Sequence, residues 1–298
     1  MTKKALVIDG NSLIYRAFYA THNQLEYYKQ HNLQPVNALK LVLLITLKLL
    51  NETQYDYVLM ALDHEKKTLR HDTFAEYKAG RKPMPTDLFT QLPLIKDAMK
   101  IIGIKHLSIP GIEADDIIGS FVKIMNSHEI EVDVYSSDKD LLQLVNDKTI
   151  VNLFKTGISN TTKVTIHNFG DNFFGLKPCQ VVDFKGVSGD NSDNLRGVKG
   201  IGPKTAAELI TKYGSLEGIY ESLDKLTLPQ QTKFNESKAF AMMCKQLSTI
   251  QTNVLDGTNI HDFVKRPIDQ KLFQELVNRY HFTGFEKYKF AKQEKLFS

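Results

Sequence analysis

Four apolar runs in the first half of the chain each lead into carboxylates. Ala5–Ile8 runs into Asp9, and Tyr57–Leu62 into Asp63. Lys105–Ile109 is followed by a Pro-Gly turn and then by Glu113, Asp115 and Asp116. Val132–Tyr135 is followed by Asp138 and Asp140. A carboxylate at the end of a buried apolar strand is costly unless something compensates it. Several at one edge repel one another and call for cations. Oxygen donors without His or Cys suit Mg²⁺ or Mn²⁺ better than zinc. Ions held in that way activate water and stabilise charge on reacting oxygens. Each acid also has a plainer reading. Asp115 and Asp116 open a helix, where acids favour the positive end of the dipole, and Asp138 is placed to cap the helix after it. Asp9 and Asp63 fit that reading less well.

The elements that would position these acids alternate. Leu39–Leu50, Phe89–Ile102, Ala114–Met125 and Lys139–Val145 have helical character and lie between the strand-like runs. Such alternation predicts βαβ units and an α/β fold with a mainly parallel central sheet flanked by helices. Ligands of such sheets bind beyond the carboxyl ends of the strands, where the acids fall. From Lys177 the pattern changes to a glycine-punctuated stretch and then helices. The chain therefore divides into an α/β core over 1–176 and a largely helical region over 177–298, with a soft boundary near 175–180.

Between Asp63 and Pro83 the sequence is basic, with Lys66, Lys67, Arg70, Lys78, Arg81 and Lys82. Arg70, Phe74, Tyr77, Lys78 and Arg81 are spaced by three or four, which predicts one shared helical face. Cations interleaved with aromatics suit phosphates and stacked bases. A solvated helix face is the alternative. Gly197-Val-Lys-Gly-Ile-Gly202, followed by Pro203, reads as a glycine hairpin opening a helix, whose backbone can approach a phosphate closely. Gly-Pro pairs also mark ordinary turns. The histidines show no ligand spacing, and the basic end (Lys287, Lys289, Lys292, Lys295) reads as a solvated tail.

Composition is compatible with this and excludes several classes. Hydrophobic residues make up 42% and charged residues 24% of 298, ordinary for a globular chain with a sizeable core. No apolar run is long enough to span a bilayer, and the N-terminus lacks the features of a signal peptide. Two cysteines, Cys179 and Cys244, make neither a disulfide framework nor a zinc site. The expectation is a cytoplasmic protein with no membrane partner.

Five segments resemble the motifs of the 5′-nuclease family, the nuclease domain of bacterial DNA polymerase I with its phage and flap-endonuclease relatives. They are IDGNSLIYRAF at 8–18, EYKAGRKP at 76–83, GIEADDIIG at 111–119, SSDKDLLQLV at 136–145 and GVSGDNSDNLRGVKGIGPKTAAELI at 186–210. The resemblance runs from about residue 4 to about 290, in the family order. It departs over Gln24–Lys40, where relatives carry a glycine-containing loop, and in the residues flanking Asp63.

The resemblance implies that Asp9, Asp63, Glu113, Asp115 and Asp116 hold one ion, and Asp138, Asp140, Asp190 and Asp193 a second. Setting those nine charges aside would leave a remainder of +13 in a chain of net charge +4, which suits a polyanionic substrate. It implies a helical arch over about 64–92, with Lys78 and Arg81 on the scissile phosphate. It also implies a helix–hairpin–helix over about 178–215 that holds duplex, with K⁺ as a further ion. Expected DNA contacts are Arg16, Arg70, Phe74, Tyr77, Lys78, Arg81, Lys199, Gly200, Gly202, Lys204 and Thr205. The implied activity is metal-dependent 5′-3′ hydrolysis of DNA (duplex, nicked, flapped or paired with an RNA primer) by a monomer in replication and repair. A non-cutting DNA clamp and a ribonuclease of related fold are the rival readings. Crowding of nine carboxylates further predicts that Asp116→Asn or Asp193→Asn stabilises the metal-free protein.

Overall fold

The computed structural model describes residues 2–155, 160–286 and 288. Of the basic residues at the chain end, Lys287, Lys289, Lys292 and Lys295 lie outside the described residues. In the first part, strand β1 (Lys4–Asp9) leads into helices α1 (Gly10–Ala20), α2 (Leu25–Gln30) and α3 (Asn37–Glu52). Next come β2 (Tyr57–Ala61), α4 (Leu69–Thr73), α5 (Thr86–Phe89), α6 (Leu92–Ile101) and β3 (Lys105–Leu107). Helix α7 (Ala114–Ser127), strand β4 (Glu131–Ser136), a 3₁₀ turn (Lys139–Leu144), β5 (Thr149–Phe154) and β6 (Thr161–Val164) complete the sheet region.

The six strands lie in the order β3-β2-β1-β4-β5-β6, all parallel except the β5–β6 pair at one edge. β1 is central. Its side chains are apolar on both faces, as a parallel strand covered from both sides requires. Ala5 and Val7 join a core with α7, while Leu6 and Ile8 join a separate core with α1, α3 and α6. Register places Asp9 beside Ala61, so the acids after β1 and β2 leave the sheet at one edge. The expected parallel α/β sheet is present. Strands β5 and β6 are additional to those read from the sequence, and the segment after β4 is a 3₁₀ turn rather than an α-helix.

The later region is helical. It comprises α8 (Phe169–Asn172), α9 (Val181–Ser188), α10 (Pro203–Tyr213), α11 (Leu216–Glu221), α12 (Leu228–Ser248) and α13 (Gln270–Arg279). Val181, Val187, Ile210, Phe234 and Ala241 extend the core beneath α7. The chain then returns to the opposite face of the sheet. The amides of Lys265, Arg266 and Asp269 donate to the carbonyls of Asp56, Gly103 and Ile101 at 2.8, 3.1 and 2.9 Å. Gly103 allows this, since a Cβ there would sit 1.9 Å from the Arg266 carbonyl oxygen and its φ is +79°. Phe273, Phe282 and Phe285 then pack into the core that holds Leu6 and Ile8. Among the described residues no helix is long and apolar enough to cross a membrane.

Candidate active site

The acids gather at the carboxyl edge of β1, β2 and β4. Asp9 ends β1 and caps α1, accepting from the Ser12 amide at 3.0 Å and from Ser136 Oγ at 2.5 Å. Asp63 accepts from the Ala114 amide at the start of α7 (2.9 Å) and from Asn11 (3.0 Å). Asp138 caps the 3₁₀ turn through the Asp140 amide at 2.8 Å. Asp9, Asp63, Glu113, Asp115 and Asp138 line a cavity of about 400 Å³, with Lys78, Arg81 and Tyr15 at its wall. Beside it, carboxylate oxygens of Asp140, Asp190 and Asp193 lie within 4.8 Å of one another. Asp190 is held by the amide and hydroxyl of Ser192, at 2.9 and 2.6 Å.

Burial and crowding act on these groups unequally. Burial, reinforced by Asp138 and Asp63, pushes Asp9 up to about 7. Burial, with Asp138 next, pushes Asp140 up to about 8 even though Lys185 opposes it. Asp115 is raised well above the carboxylate range by burial and by Asp138, Asp9 and Asp140. Glu113 and Asp190 go the other way, because Lys78 and Arg70 face the first and Lys185 the second, outweighing their burial. Without an added cation, Asp9 and Asp140 therefore take up protons near neutral pH, and Asp115 keeps its proton to higher pH than an ordinary carboxyl. An all-oxygen donor set under that strain suits hard divalent ions.

The basic segment differs from its expected form. Only Leu69–Thr73 is helical. Phe74 is extended, residues 75–80 form turns, and Lys78 has φ +55°. The five residues thus share no helical face. They converge on the carboxylates instead, and Phe74 and Tyr77 pack against Leu195 and Leu247. Arg70 makes a two-pronged pair with Asp116 at 2.6 and 2.8 Å and also bonds the carbonyls of Leu247 and Thr249. Tyr77 is 2% exposed, and its hydroxyl donates to Glu113 and Asp193 at 3.1 and 2.8 Å. Lys78 reaches Glu113 at 2.9 Å, and Arg81 reaches Asp193 at 2.6 Å. The Lys78 amide also donates to the Asp193 carbonyl, tying this segment to the acidic loop after α9. Arg16 bonds Ser137 and the carbonyls of Phe154 and Lys155.

Asp116 is accordingly turned away from the cavity, accepting also from the Gln251 amide. This overturns the stability expectation for Asp116 and Asp193, since both already have cationic partners. Asp116→Asn is expected to lower the melting temperature in EDTA, because breaking one side of a buried pair costs about 3–5 kcal/mol. Asp115→Asn is expected to raise it, because among the described residues Asp115 has no ion pair to lose, and an amide escapes the burial and like-charge cost that raises this carboxyl. A melt of Asp115→Asn below the parent in EDTA would refute the crowding. The pH sign follows from the same groups. A carboxyl with a raised folded pKa favours the fold while protonated, and that advantage is lost as pH climbs from the ordinary range through the raised values. Metal-free protein should melt lower at about pH 8 than at about pH 5, and Mg²⁺ should narrow the gap. Glu113 and Asp190 titrate below this window and do not alter it.

The glycine hairpin lies alongside. Val198 and Ile201 are buried anchors, whereas Lys199, Gly200, Gly202 and Lys204 are exposed and Thr205 is half-buried. Gly200 takes φ +74°, and Gly202 caps α10, whose first residue is Pro203.

Lys185, 8% exposed on α9, had no sequence signal beyond interrupting an apolar run, yet it bonds both Asp140 and Asp190. Ser136 and Asn11, which orient Asp9 and Asp63, were likewise illegible, being ordinary polar residues near strand ends.

Known proteins share this layout. The 5′-3′ exonuclease N-terminal resolvase-like domain matches residues 4–173, and the 5′-3′ exonuclease C-terminal SAM fold matches 176–271. A 5′-3′ exonuclease of Mycoplasma pneumoniae is 40% identical over 278 residues, 93% of this chain and 96% of that one. DNA polymerase I of Bacillus subtilis is 39% identical over 252 residues, which are 84% of this chain and 28% of the polymerase. The bacteriophage T5 flap endonuclease, solved with DNA and metal ions, has the same fold, with TM-score 0.70 and 21% identity over 94% of this chain and 100% of that one. Fold and site define an α/β nuclease with an acid-lined sheet edge. The chain belongs to the 5′-3′ exonuclease family.

Proposed function

We propose that this chain hydrolyses phosphodiester bonds of DNA from or near a 5′ end, using two divalent ions. The observation that carries this is the crowding of buried carboxylates at one sheet edge, with Asp9, Asp63, Asp115 and Asp140 all raised above the ordinary carboxylate range. Asp9, Asp63, Glu113 and Asp115 would hold one ion, and Asp138, Asp140, Asp190 and Asp193 the other. Asp116 supports the first set by holding Arg70. Ions of this kind lower the pKa of water and neutralise charge on the attacking and leaving oxygens. Mg²⁺ or Mn²⁺ fits the donors, and K⁺ is the candidate at the hairpin.

The chain's own groups do the rest. Lys78 orients the scissile phosphate and Arg81 steers it, both from the cavity wall. Arg70, Phe74 and Tyr77 brace that wall, while Arg16 fixes the start of the turn after β4. Lys199, Gly200, Gly202, Lys204 and Thr205 hold the duplex through backbone amides and two cations. Products are 5′-phosphorylated, with a 3′-hydroxyl left on the neighbouring fragment. The role is removal of primers, including RNA paired to DNA, and of flaps, by a cytoplasmic monomer.

Labelled flap, nicked, blunt and single-stranded substrates, with Mg²⁺ and with EDTA, test this. Cleavage in Mg²⁺ that starts at the 5′ end and stops in EDTA is expected. Binding without cleavage on every substrate would make the chain a clamp instead.

Gly202→Val tests the hairpin separately. A Cβ at Gly202 meets no atom within 4 Å, so the free protein should tolerate the change. Duplex affinity is expected to fall by about tenfold or more, since the added bulk blocks close backbone approach to a phosphate. Unchanged affinity would remove the hairpin from the interface. Gly200→Val is a poorer probe, because φ there is +74° and Lys233 is 3.2 Å from the new Cβ.

A further inference from the structure

Among the described residues four cations stand among the carboxylates, and they are anchored differently. Arg70, Lys78 and Arg81 arrive on the short segment between β2 and α5, much of it turns. Lys185 comes from α9, inside the helical body. Val181, Phe184 and Val187 on the same helix are buried in the main core. A Cβ at Gly186 would come within 3.1 Å of the Ala241 carbonyl on α12, so the two helices are in close contact. The Cys244 thiol on α12 donates to the Lys185 carbonyl at 3.1 Å. The backbone that carries this lysine therefore cannot swing out as a loop can. Its ammonium ion-pairs with Asp140 and lies 2.5 Å from Asp190. These are two of the three acids whose oxygens converge beside the cavity. Both partners favour the charged amine despite its burial.

We propose that the Lys185 ammonium is a resident cation of the second carboxylate set, competing with a divalent ion for Asp140 and Asp190 and holding that ion's affinity down. This rests on the metal-binding reading of those carboxylates. In DNA-free protein the amine keeps two like charges together at short range, as an ion would. A divalent ion entering there must share both oxygens with a fixed positive charge, which repels it at a few ångströms in a partly buried setting. The second ion is then bound weakly until the phosphates of a substrate add negative charge. In the first set Lys78 and Arg70 reach a single proposed ligand, Glu113, at 2.9 and 3.3 Å, and among the described residues no ion pair joins one cation to two of that set's carboxylates.

The test is a Mn²⁺ titration of DNA-free protein, with free Mn²⁺ followed by electron paramagnetic resonance, on the parent, Lys185→Met and Lys185→Arg. The parent should show a tighter and a weaker site. Lys185→Met should tighten the weaker one by about tenfold or more, since a unit charge at that range is worth at least one such factor. Lys185→Arg, which keeps the charge, should stay near the parent. Melting in EDTA and in Mn²⁺ gives a second readout. Lys185→Met should melt lower than the parent in EDTA and gain more from Mn²⁺. A lysine that merely held the fold together would lower both melts alike and leave the weaker site unchanged or weaker. That result, or an arginine variant that behaves like methionine, overturns the proposal. Should Lys185→Met unfold without metal, it is prepared in Mn²⁺ and titrated with chelator, and the release curve gives the same constants. A parent that binds no second ion would instead refute the metal-site reading itself.

Discussion

Asp138→Asn should cut the single-turnover rate by at least about a thousandfold, roughly 4 kcal/mol of barrier, while DNA affinity stays within a few-fold. The structure makes this substitution unusually clean. Asp138 accepts the Asp140 amide through Oδ1, and asparagine keeps an oxygen there, so the cap survives. What disappears is one charge facing the cavity shared with Asp9 and Asp115. That charge is among the causes that raise both of their pKa values. On the proposed reading, binding would draw on other groups, chiefly the exposed hairpin and its lysines, since duplex affinity comes mostly from phosphate contacts. The measurement is turnover on a nicked duplex in Mg²⁺, with affinity taken in Ca²⁺. A rate within tenfold of the parent would dismiss the assignment of this carboxylate to the reaction.

Lys78→Ala should lower the single-turnover rate by about a hundredfold, with affinity changed much less, as expected for a group that acts mainly on the reacting phosphate. Its ammonium is 2.9 Å from Glu113, over the Tyr77 ring, at the wall of the carboxylate cavity. Glu113 would exchange this partner for a divalent ion, freeing the amine for the phosphate. Arg81 is more open, with 47% of its side chain exposed, and its loss should cost less in rate and more in affinity. A Lys78→Ala enzyme with parental rate and weakened binding would place this lysine with the DNA-holding residues instead. A melting curve in Mg²⁺ guards against a change in fold.

The acids were legible because strand ends are legible. An apolar run that stops at a carboxylate is visible in sequence, and parallel pairing brings such ends to one edge. The register of Asp9 beside Ala61 depends on nothing more. The basic segment was misread because periodicity describes a helix only when nothing stronger bends the chain. Here Glu113, Asp116 and Asp193 pull three cations inward, and Lys78 takes a left-handed backbone to reach them. The split between paired and unpaired acids was equally hidden, since Asp115 and Asp116 are neighbours in sequence but leave α7 towards different partners. Strand β5 escaped notice because Asn152 interrupts its apolar run. Lys185 could not be read at all, because a lysine in a helix ordinarily snorkels to solvent.

The return of residues 265–285 across the sheet has a bearing on how the molecule is made. A ribosome delivers the chain N-terminus first, and Asp193, the last of the nine acids, emerges well before the strap that closes over α3 and α6. Until Phe273, Phe282 and Phe285 arrive, the face built on Leu6 and Ile8 lacks part of its cover. A nascent chain halted in that interval carries all nine acids and yet exposes apolar surface, the state that aggregates or recruits chaperones. That face is therefore fully covered only once translation has passed Phe285.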